Sequence, residues 1–344
     1  MDPFDRVSRS IQLSDIAKTL NADLVIDTAG RASKTPGWLR DLGYETPPES
    51  SIEPNLRYAS RLYRPQNEHD WQVMILYPKF PSSKKLGVIF GVEDGQWLVT
   101  LVGYLGDHPP DDEQGFLQFA KELAAPQIYQ LLQEAEPLTD IKTFNYKRQT
   151  RRHYERLKRF PSGLIVMADA ACSFDPVFGQ GMSVAAQQAV ELERLLSAAP
   201  SDWAVFPKTF QKRIAHVTTV PWMLATGEVR RFPEVTPRRS LWLKFQHWYN
   251  GKIYAASGSD AEVYACFLKV LHLTTGPQYL FHPKIVWRVI RQAWVDRFAS
   301  KQAVATQSDD VAAQSVDVAA RSVDVAARSV EAVSHEAPDH HVAS

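Results

Sequence analysis

One carboxylate in the segment 163–196 follows directly after an apolar run. Residues 164–167 (LIVM) have the composition of a short buried strand, and Asp169 stands at its end. A carboxylate in this position can accept hydrogen bonds from sugar-like hydroxyl groups, which an apolar or basic side chain cannot do. The spacing therefore predicts that Asp169 binds a hydroxyl-bearing ligand.

A proline and a Gly-x-Gly turn follow the carboxylate and lead into a long amphipathic helical pattern. The glycines on either side of Gln180 would let the backbone come within contact distance of a planar ring. Amides at the helix start, near Met182, would supply hydrogen-bond donors and a partial positive charge to an electron-rich edge of that ring. A reduced flavin, which is anionic at its pyrimidine end, requires such donors.

An earlier segment, 22–30 (ADLVIDTAG), predicts a short strand at 24–26 that runs into a small-residue turn ending at Gly30. Such a turn can present backbone amides to a ligand. It is equally typical of an ordinary strand end, and both interpretations stay open at this point.

The stretch DAACSFDPVFGQGMSVAAQQA resembles the second flavin-binding motif of the FAD-dependent aromatic-hydroxylase and epoxidase superfamily, which includes 2-polyprenyl-6-methoxyphenol hydroxylase-like flavoproteins. The segment ADLVIDTAGRASKTPGWLRDLGY is similar to the strand–turn motif before the substrate domain of the same proteins. The resemblance implies that Asp169 binds the ribityl chain of FAD. It also implies cofactor-binding roles for Pro176, Gly179, Gln180, Gly181, Met182, Gly30 and Arg31.

The same resemblance implies the chemistry. FAD would be the cofactor, NAD(P)H the reductant, and a small apolar organic compound the substrate that receives oxygen from O2. The protein would contribute a dry cavity and positioning, so no catalytic acid or base is nominated. One departure bears on geometry: the family usually has Gly-Asp where this chain has Ala168-Asp169, and the added methyl is tolerable only where the backbone does not require a positive φ.

No G-x-G-x-x-G follows a strand in the sequence, although that motif would hold the ADP half of FAD. We therefore expect an N-terminally truncated flavoprotein, completed by a separate N-terminal FAD-binding half or by upstream residues. Two alternatives stay open. The chain could be a non-catalytic remnant that binds FAD weakly or not at all, or an interaction protein acting through its C-terminal helix and tail.

The predicted fold class is α/β (α+β), with an incomplete Rossmann-like FAD-binding lobe, an antiparallel-sheet substrate lobe and C-terminal helices. The expected segments follow the chain: 1–45 (remnant of the FAD-binding lobe), 46–160 (substrate lobe), 161–200 (second FAD motif), 201–299 (helical region) and 300–344 (heptapeptide-repeat tail, expected to be disordered).

Within these segments, apolar alternation predicts antiparallel strands at 71–77, 86–92 and 96–103, the last two joined by a turn at 93–95. Residues 46–54 are predicted as a loop. Helices are predicted at 113–124 and 126–135. The basic run at 147–159 forms either a solvated face or a phosphate site. From 201 to 298 the pattern predicts a helical layer that is broken by prolines such as Pro221 and ends in an amphipathic helix at 284–298.

Lysine plus arginine and aspartate plus glutamate both number 39, so no net field attracts nucleic acid. The two cysteines and the histidines lack metal-ligand spacing, so no metal is expected. A polar N-terminus without a signal peptide predicts a cytoplasmic protein. No apolar run is long enough to span a bilayer, and packing of helix 284–298 on the core is favoured over contact with a membrane surface.

Overall fold

The computed structural model describes residues 9–13, 16–67, 69–200 and 202–295. The strands among them are β1 (Arg9–Leu13), β2 (Ile16–Leu20), β3 (Val25–Asp27), β4 (Glu49–Ile52), β5 (Leu56–Arg64), β6 (Val73–Leu76), β7 (Lys85–Gly91), β8 (Trp97–Gly103), β9 (Glu136–Pro137), β10 (Lys142–Tyr146), β11 (Gln149–Arg152), β12 (Leu164–Val166) and β13 (Cys172–Ser173). The helices are α1 (Thr35–Asp41), α2 (Glu113–Lys121), α3 (Gln127–Glu134), α4 (Gly181–Ser197), α5 (Phe206–Val229), α6 (Leu241–Ser257), α7 (Ala261–Leu271) and α8 (283–295).

The largest sheet confirms the predicted antiparallel meander. Its strand order is β10-β5-β8-β7-β6, and β9 pairs with one end of β5. The predicted turn between β7 and β8 is present, and its Asp94 and Gly95 both have positive φ, the backbone that a tight Asp-Gly hairpin requires. One face of this sheet packs against α2 and α3 around Ile89, Leu101 and Phe116. The predicted helices thus cover the apolar side of the sheet.

The central strand β5 was not predicted, and the predicted loop at 46–54 is wrong in part. In β5 only Leu56, Ala59 and Tyr63 are buried, so its sequence lacks strict alternation. Residues Glu49–Ile52 form β4, which pairs with β11 in a three-stranded sheet of order β13-β11-β4. Both strands are fixed by their neighbours in the sheet, and that pairing is not visible in a local pattern.

Strands β3 and β12 run parallel, with Leu164 opposite Val25 and Val166 opposite Asp27. The side chains of β12 are fully buried, and they pack with Phe206, Phe210 and Ile214 of α5. This pair, with α4 and α5 beside it, is the Rossmann-like part that the sequence predicts. The chain thus has the predicted α/β class, with an antiparallel-sheet lobe and C-terminal helices.

The expectation that Pro221 interrupts the helical region is wrong. Helix α5 continues through Pro221, which is buried in its interior. A proline removes one backbone donor from a helix, and surrounding packing can hold the helix together across it. The packing around the buried Pro221 therefore outweighs the low helix propensity of proline.

The described residues form two compact units. The first contains the chain up to Trp248 together with Leu271–Pro277, and the second contains Tyr249–Val270 and the described residues from Gln278 onward. In the second unit Ile285 and Val289 of α8 are buried, as predicted, whereas Ile290 and Trp294 are exposed. The end of the predicted helix 284–298 and the tail 300–344 lie outside the described residues.

None of the helices within the described ranges combines the length and the apolar character needed to cross a membrane. The division of the chain into the five predicted segments stays a prediction.

Replacing Gly103 by alanine tests the packing at the end of β8. A Cβ atom there would lie 1.7 Å from the carbonyl oxygen of Asp107, so the backbone must shift. We expect the free energy of unfolding to fall by about 2–3 kcal/mol. The matched variant Gly227→Ala, where a Cβ meets no atom within 4 Å, should raise it by about 0.5–1 kcal/mol. Equal stability of the two variants in chemical denaturation would contradict this packing.

Candidate functional site

The site begins where the parallel strands β3 and β12 end. Carboxyl ends of parallel strands meet at one edge of a sheet, so Thr28 after β3 and Asp169 after β12 come together there. The turn after β3 is fixed by the buried Asp27, whose carboxylate accepts hydrogen bonds from the Ala29 N–H at 2.9 Å and from the hydroxyls of Ser33 and Thr35. The sequence predicted this strand and turn, but not the role of Asp27 as their anchor.

Helix α4 points its N-terminus toward the same edge. Its first i→i−4 hydrogen bond runs from the Val184 N–H to the Gln180 carbonyl at 3.0 Å. The N–H groups of Gly181, Met182 and Ser183 precede that bond and have no partner within the helix. The predicted helix start is confirmed, and it offers a set of donors with the positive end of the helix dipole.

The strand ends and the helix start line an open cavity of about 420 Å³. Most of its lining is apolar. The lining residues are Thr28, Ala168, Asp169, Phe174, Asp175, Pro176, Gly179, Gly181, Met182 and Ala185. Five residues that the sequence nominated, all from the second motif, are therefore brought to one cavity.

The two glycines of the turn keep this cavity open. Gly179 has a φ of +63°, and a Cβ atom on it would meet nothing within 4 Å. A Cβ on Gly181 would have the Oδ1 atom of Asp169, 3.9 Å away, as its nearest neighbour. The turn thus leaves room where the sequence predicted close approach of a ring.

Three nominated residues do not line the cavity. The Gln180 side chain is buried on the other side of the turn, where its Nε2 donates to the Leu271 carbonyl at 3.0 Å. Gly30 supplies a positive φ to the turn after β3. Arg31 lies over the ring of Tyr146, with its Cζ 4.8 Å from the ring centroid.

The Asp169 carboxyl is half-buried, and burial raises its pKa, whereas the nearby guanidinium of Arg31 acts in the opposite direction. Arg31 therefore affects the charge of Asp169 but does not line the cavity.

Arg152 joins the two motifs, a role that the sequence analysis did not predict. Its guanidinium donates to the carbonyl of Arg31 at 3.1 Å, to the carbonyl of Ala170 at 2.8 Å and to Glu49 Oε1 at 3.1 Å. Only 14% of its side chain is exposed. The prediction of a solvated basic face is therefore wrong at Arg152, because strand β11 carries this residue into the interior between the two turns.

Two buried glutamines hold the end of β12. Gln188 of α4 accepts a hydrogen bond from the Ala168 N–H at 2.7 Å and donates to the Thr218 hydroxyl of α5. Gln211 of α5 donates to the Val166 carbonyl at 2.9 Å. A polar residue on the buried face of an amphipathic helix is a signal that could have marked Gln188 as a structural residue.

Asp175 is a lining residue that sequence reasoning missed. It is fully buried, and its Oδ1 accepts hydrogen bonds from the Tyr58 hydroxyl at 2.8 Å and the Val177 N–H at 2.9 Å. Burial raises the pKa of this carboxyl to about 6. Because Tyr58 belongs to β5, Asp175 ties the large sheet to the cavity.

Ala168 has a φ of +54°, in the left-handed region that favours glycine. The sequence comparison with the flavin family placed a glycine at this position, and the structure shows that the backbone conformation suits one. An L-residue there costs about 1–2 kcal/mol. The strained residue adjoins Asp169, the carboxylate of the site.

Comparisons of sequence and of structure identify proteins that this chain resembles. No family model matches the sequence. Protein Rv3254 of Mycobacterium tuberculosis is 33% identical over 211 residues, which are 60% of this chain and 44% of that protein. The chain thus spans less than half the length of this curated relative.

Two solved structures show the fold. The flavin-dependent brominase Bmp2 superposes with a TM-score of 0.53 at 11% identity, covering 86% of this chain and 70% of that one. A flavoprotein/dehydrogenase from Cytophaga hutchinsonii superposes with a TM-score of 0.50 at 15% identity, covering 83% of this chain and 64% of that one. The chain shares its fold with these two flavoproteins, and this is the fold class that the sequence motifs predicted.

Replacing Ala168 by glycine should stabilise the protein. The change relieves the left-handed backbone, while the more flexible unfolded chain offsets part of the gain, so we expect about 0.5–1 kcal/mol more free energy of unfolding. Ala170→Gly, a buried alanine of the same turn without a positive φ, should instead destabilise it. Thermal unfolding measures both, and a loss of stability in Ala168→Gly would contradict the assigned backbone.

Proposed function

We propose that the chain is a flavin-binding part of an FAD-dependent monooxygenase-type oxidoreductase. The cavity at the end of β12 would hold the isoalloxazine ring and the ribityl chain. The observation that supports this most strongly is the meeting of Asp169, the open Gly179–Gly181 turn and the N-terminus of α4 in one cavity.

The residues present fit the ring end of a flavin. The turn is open, since a Cβ on Gly179 or Gly181 would meet no atom closer than 3.9 Å, and this leaves space for a flat group beside Asp169. The free amides at the start of α4 can donate to the carbonyl and nitrogen acceptors of the pyrimidine edge. The Asp169 carboxylate can accept hydrogen bonds from ribityl hydroxyls.

When bound, the flavin would supply the transfer of electrons from NAD(P)H to O2 and of one oxygen atom to the substrate. The chain's own contributions are binding and orientation. Apolar lining by Phe174 and Ala185 would contact one face of the ring, and the helix dipole would stabilise negative charge at its pyrimidine edge.

We propose a small apolar organic compound as the substrate, bound between the ring and the large sheet. The sheet reaches the site through Tyr58, which donates to Asp175, and through Tyr146, over which Arg31 lies. The mostly apolar lining of the cavity, which includes Phe174 and Ala185, supports an apolar ligand.

Two alternatives make different predictions. A non-catalytic chain would bind flavin weakly or not at all and would not oxidise NAD(P)H, and completion by a separate N-terminal half would restore turnover. An interaction protein acting through α8 would lose its partner or its localisation when α8 is deleted, with no change in flavin binding. The exposed Trp287 and Trp294 of α8 are the observation that favours this second alternative.

The proposed function is tested by titrating the full chain with FAD and with riboflavin. We expect shifted visible absorption bands and quenched flavin fluorescence for both ligands, because the cavity contacts the ring and the ribityl chain that they share. Gly181→Val should weaken binding at least tenfold, since its branched side chain would extend into the cavity beside Asp169.

The matched control is Ala186→Val, which adds the same kind of side chain to an exposed position of α4. It should bind flavin like the unchanged protein. If neither flavin bound the folded chain, or if both valine variants bound equally well, the proposed site would be wrong.

A further inference from the structure

A serine, a histidine and a glutamate are hydrogen-bonded in series away from the flavin cavity. The hydroxyl of Ser50 lies 2.8 Å from Nε2 of His153, and Nδ1 of the same ring lies 2.8 Å from Oε1 of Glu155. None of these three residues lines the cavity that is proposed to bind flavin. The flavin site therefore does not explain why they are joined.

The sheet that contains β4 and β11 brings the serine and the histidine together. Ser50 of β4 lies opposite Arg151 of β11. His153 follows β11 directly, and its N–H donates to the Pro48 carbonyl at 2.8 Å, which extends the same ladder by one pair. Because side chains two positions apart in a strand point to the same face, Ser50 and His153 meet on one face of the sheet.

The hydrogen bonds imply which nitrogen of His153 carries the proton. A carboxylate has no proton to donate, so Glu155 accepts from the Nδ1–H of the neutral ring. Nε2 is then the acceptor, and the Ser50 hydroxyl donates to it. An imidazole in this tautomer can remove the proton of a serine hydroxyl, and the carboxylate stabilises the imidazolium that forms.

Burial along the series suits a nucleophile with a supporting base. Ser50 is half-buried, whereas His153 is buried, and 20% of the Glu155 side chain is exposed. The Nε atom of Arg156 lies 3.7 Å from the same Glu155 oxygen, but its side chain is 62% exposed. Since solvent screens an exposed cation, Arg156 competes weakly with His153 for the carboxylate.

The backbone beside Ser50 offers a donor for an oxyanion. The N–H groups of Thr150 and Arg152 on β11 donate toward β13, to Ser173 Oγ at 3.3 Å and to the Ala171 carbonyl at 2.9 Å. The residues opposite them on β4 therefore direct their own N–H groups away from β11.

One of these residues is Ser51, which follows Ser50 and is exposed at the edge of the three-stranded sheet. The N–H of the residue after a nucleophilic serine is a donor that stabilises the negative oxygen formed when the serine attacks a carbonyl carbon. A nucleophile, a base, an orienting carboxylate and an oxyanion donor are thus present at one sheet edge.

We propose that Ser50, His153 and Glu155 form a second active site, which hydrolyses carboxylic esters with short acyl groups through an acyl-enzyme. Ser50 and His153 are its catalytic residues, and Glu155 is a positioning residue that acts through His153. Short acyl groups are expected because Ser50 lies at an open sheet edge and does not line the apolar cavity. The proposal does not depend on flavin binding.

The reaction needs no other reactant than the ester and water. The Ser50 oxygen forms a bond to the carbonyl carbon, and its proton passes to His153 Nε2. The bond from that carbon to the alcohol oxygen then breaks, and the alcohol leaves with its electron pair and the proton from His153. Water attacks the acyl carbon in the same way, which releases the carboxylic acid and returns the proton to Ser50.

The first test treats the full chain with a fluorophosphonate probe and maps the labelled peptide by mass spectrometry. The Ser50 oxygen should displace fluoride from phosphorus and carry the label. Because the three side chains meet only in the folded protein, unfolding in urea before treatment should reduce labelling at least tenfold. A label elsewhere, no label, or equal labelling of the unfolded chain would overturn the proposal, whether or not the chain binds flavin.

The second test measures hydrolysis of p-nitrophenyl acetate by variants. Ser50→Ala and His153→Ala should each lower kcat/KM at least about a hundredfold, and added imidazole should restore part of the rate only in His153→Ala. Glu155→Gln should lower kcat at least about tenfold with little change in KM, and Glu155→Asp should retain more of the rate.

The matched control is Ser60→Ala, which removes a half-buried strand hydroxyl that is hydrogen-bonded to Thr100 at 2.8 Å. It should hydrolyse the ester like the unchanged protein, and thermal unfolding should show that the variants are folded. Hydrolysis that persists in Ser50→Ala, or a His153→Ala variant that imidazole does not rescue, would show that the three residues only fix β4 to β11. If Ser50→Ala does not fold, the mapped label on the unchanged chain decides.

Discussion

The parallel pairing of β3 with β12 is the constraint on which the site depends. It brings the ends of two strands that are distant in sequence to one edge, so the Asp27 turn and the Asp169 turn face the same space. Three hydrogen-bonded contacts then fix that edge: Arg152 bonds to the carbonyls of Arg31 and Ala170, and Gln188 holds the Ala168 amide. The bonds to Ala170 and from Ala168 are partly buried, so breaking either one leaves a polar group with reduced access to water.

The hydrogen bonds around this edge allow the site to contain two residues in energetically unfavourable states. Ala168 has a left-handed backbone, and Asp175 is buried with one oxygen unpaired. Each costs on the order of 1–3 kcal/mol, and both adjoin the cavity.

Much of this site could be predicted from sequence because its chemistry is local. Asp169, the Gly179–Gly181 turn and the start of α4 lie within one continuous segment, and strand, turn and helix each have a sequence signal. The hairpin turn at Asp94-Gly95 could also be predicted from a local signal, because Asp-Gly is a residue pair that tolerates the positive φ found there. The α/β class followed from these elements.

The rest depends on contacts between distant segments. Strand β5 and strand β4 are defined by pairing, and no periodicity marks them. In the sequence, Arg152 looks like any other residue of the basic run. Its role is visible only in the structure, where β11 places it between the two turns. Asp175 stands in the recognised motif, but its importance comes from Tyr58, which is 117 positions away in the chain. Such residues become visible only when the fold brings their partners together.

Hydrogen–deuterium exchange of the full chain, with and without riboflavin, tests the central claim most directly. The account predicts slower exchange on flavin binding in peptides that cover 168–185, because the amides at the start of α4 gain an acceptor and the adjoining turns close over the ring. Peptides from α2 and α3, which pack on the far side of the large sheet, should be unchanged. Protection confined to other segments, or none in 168–185 while flavin is bound, would contradict the site.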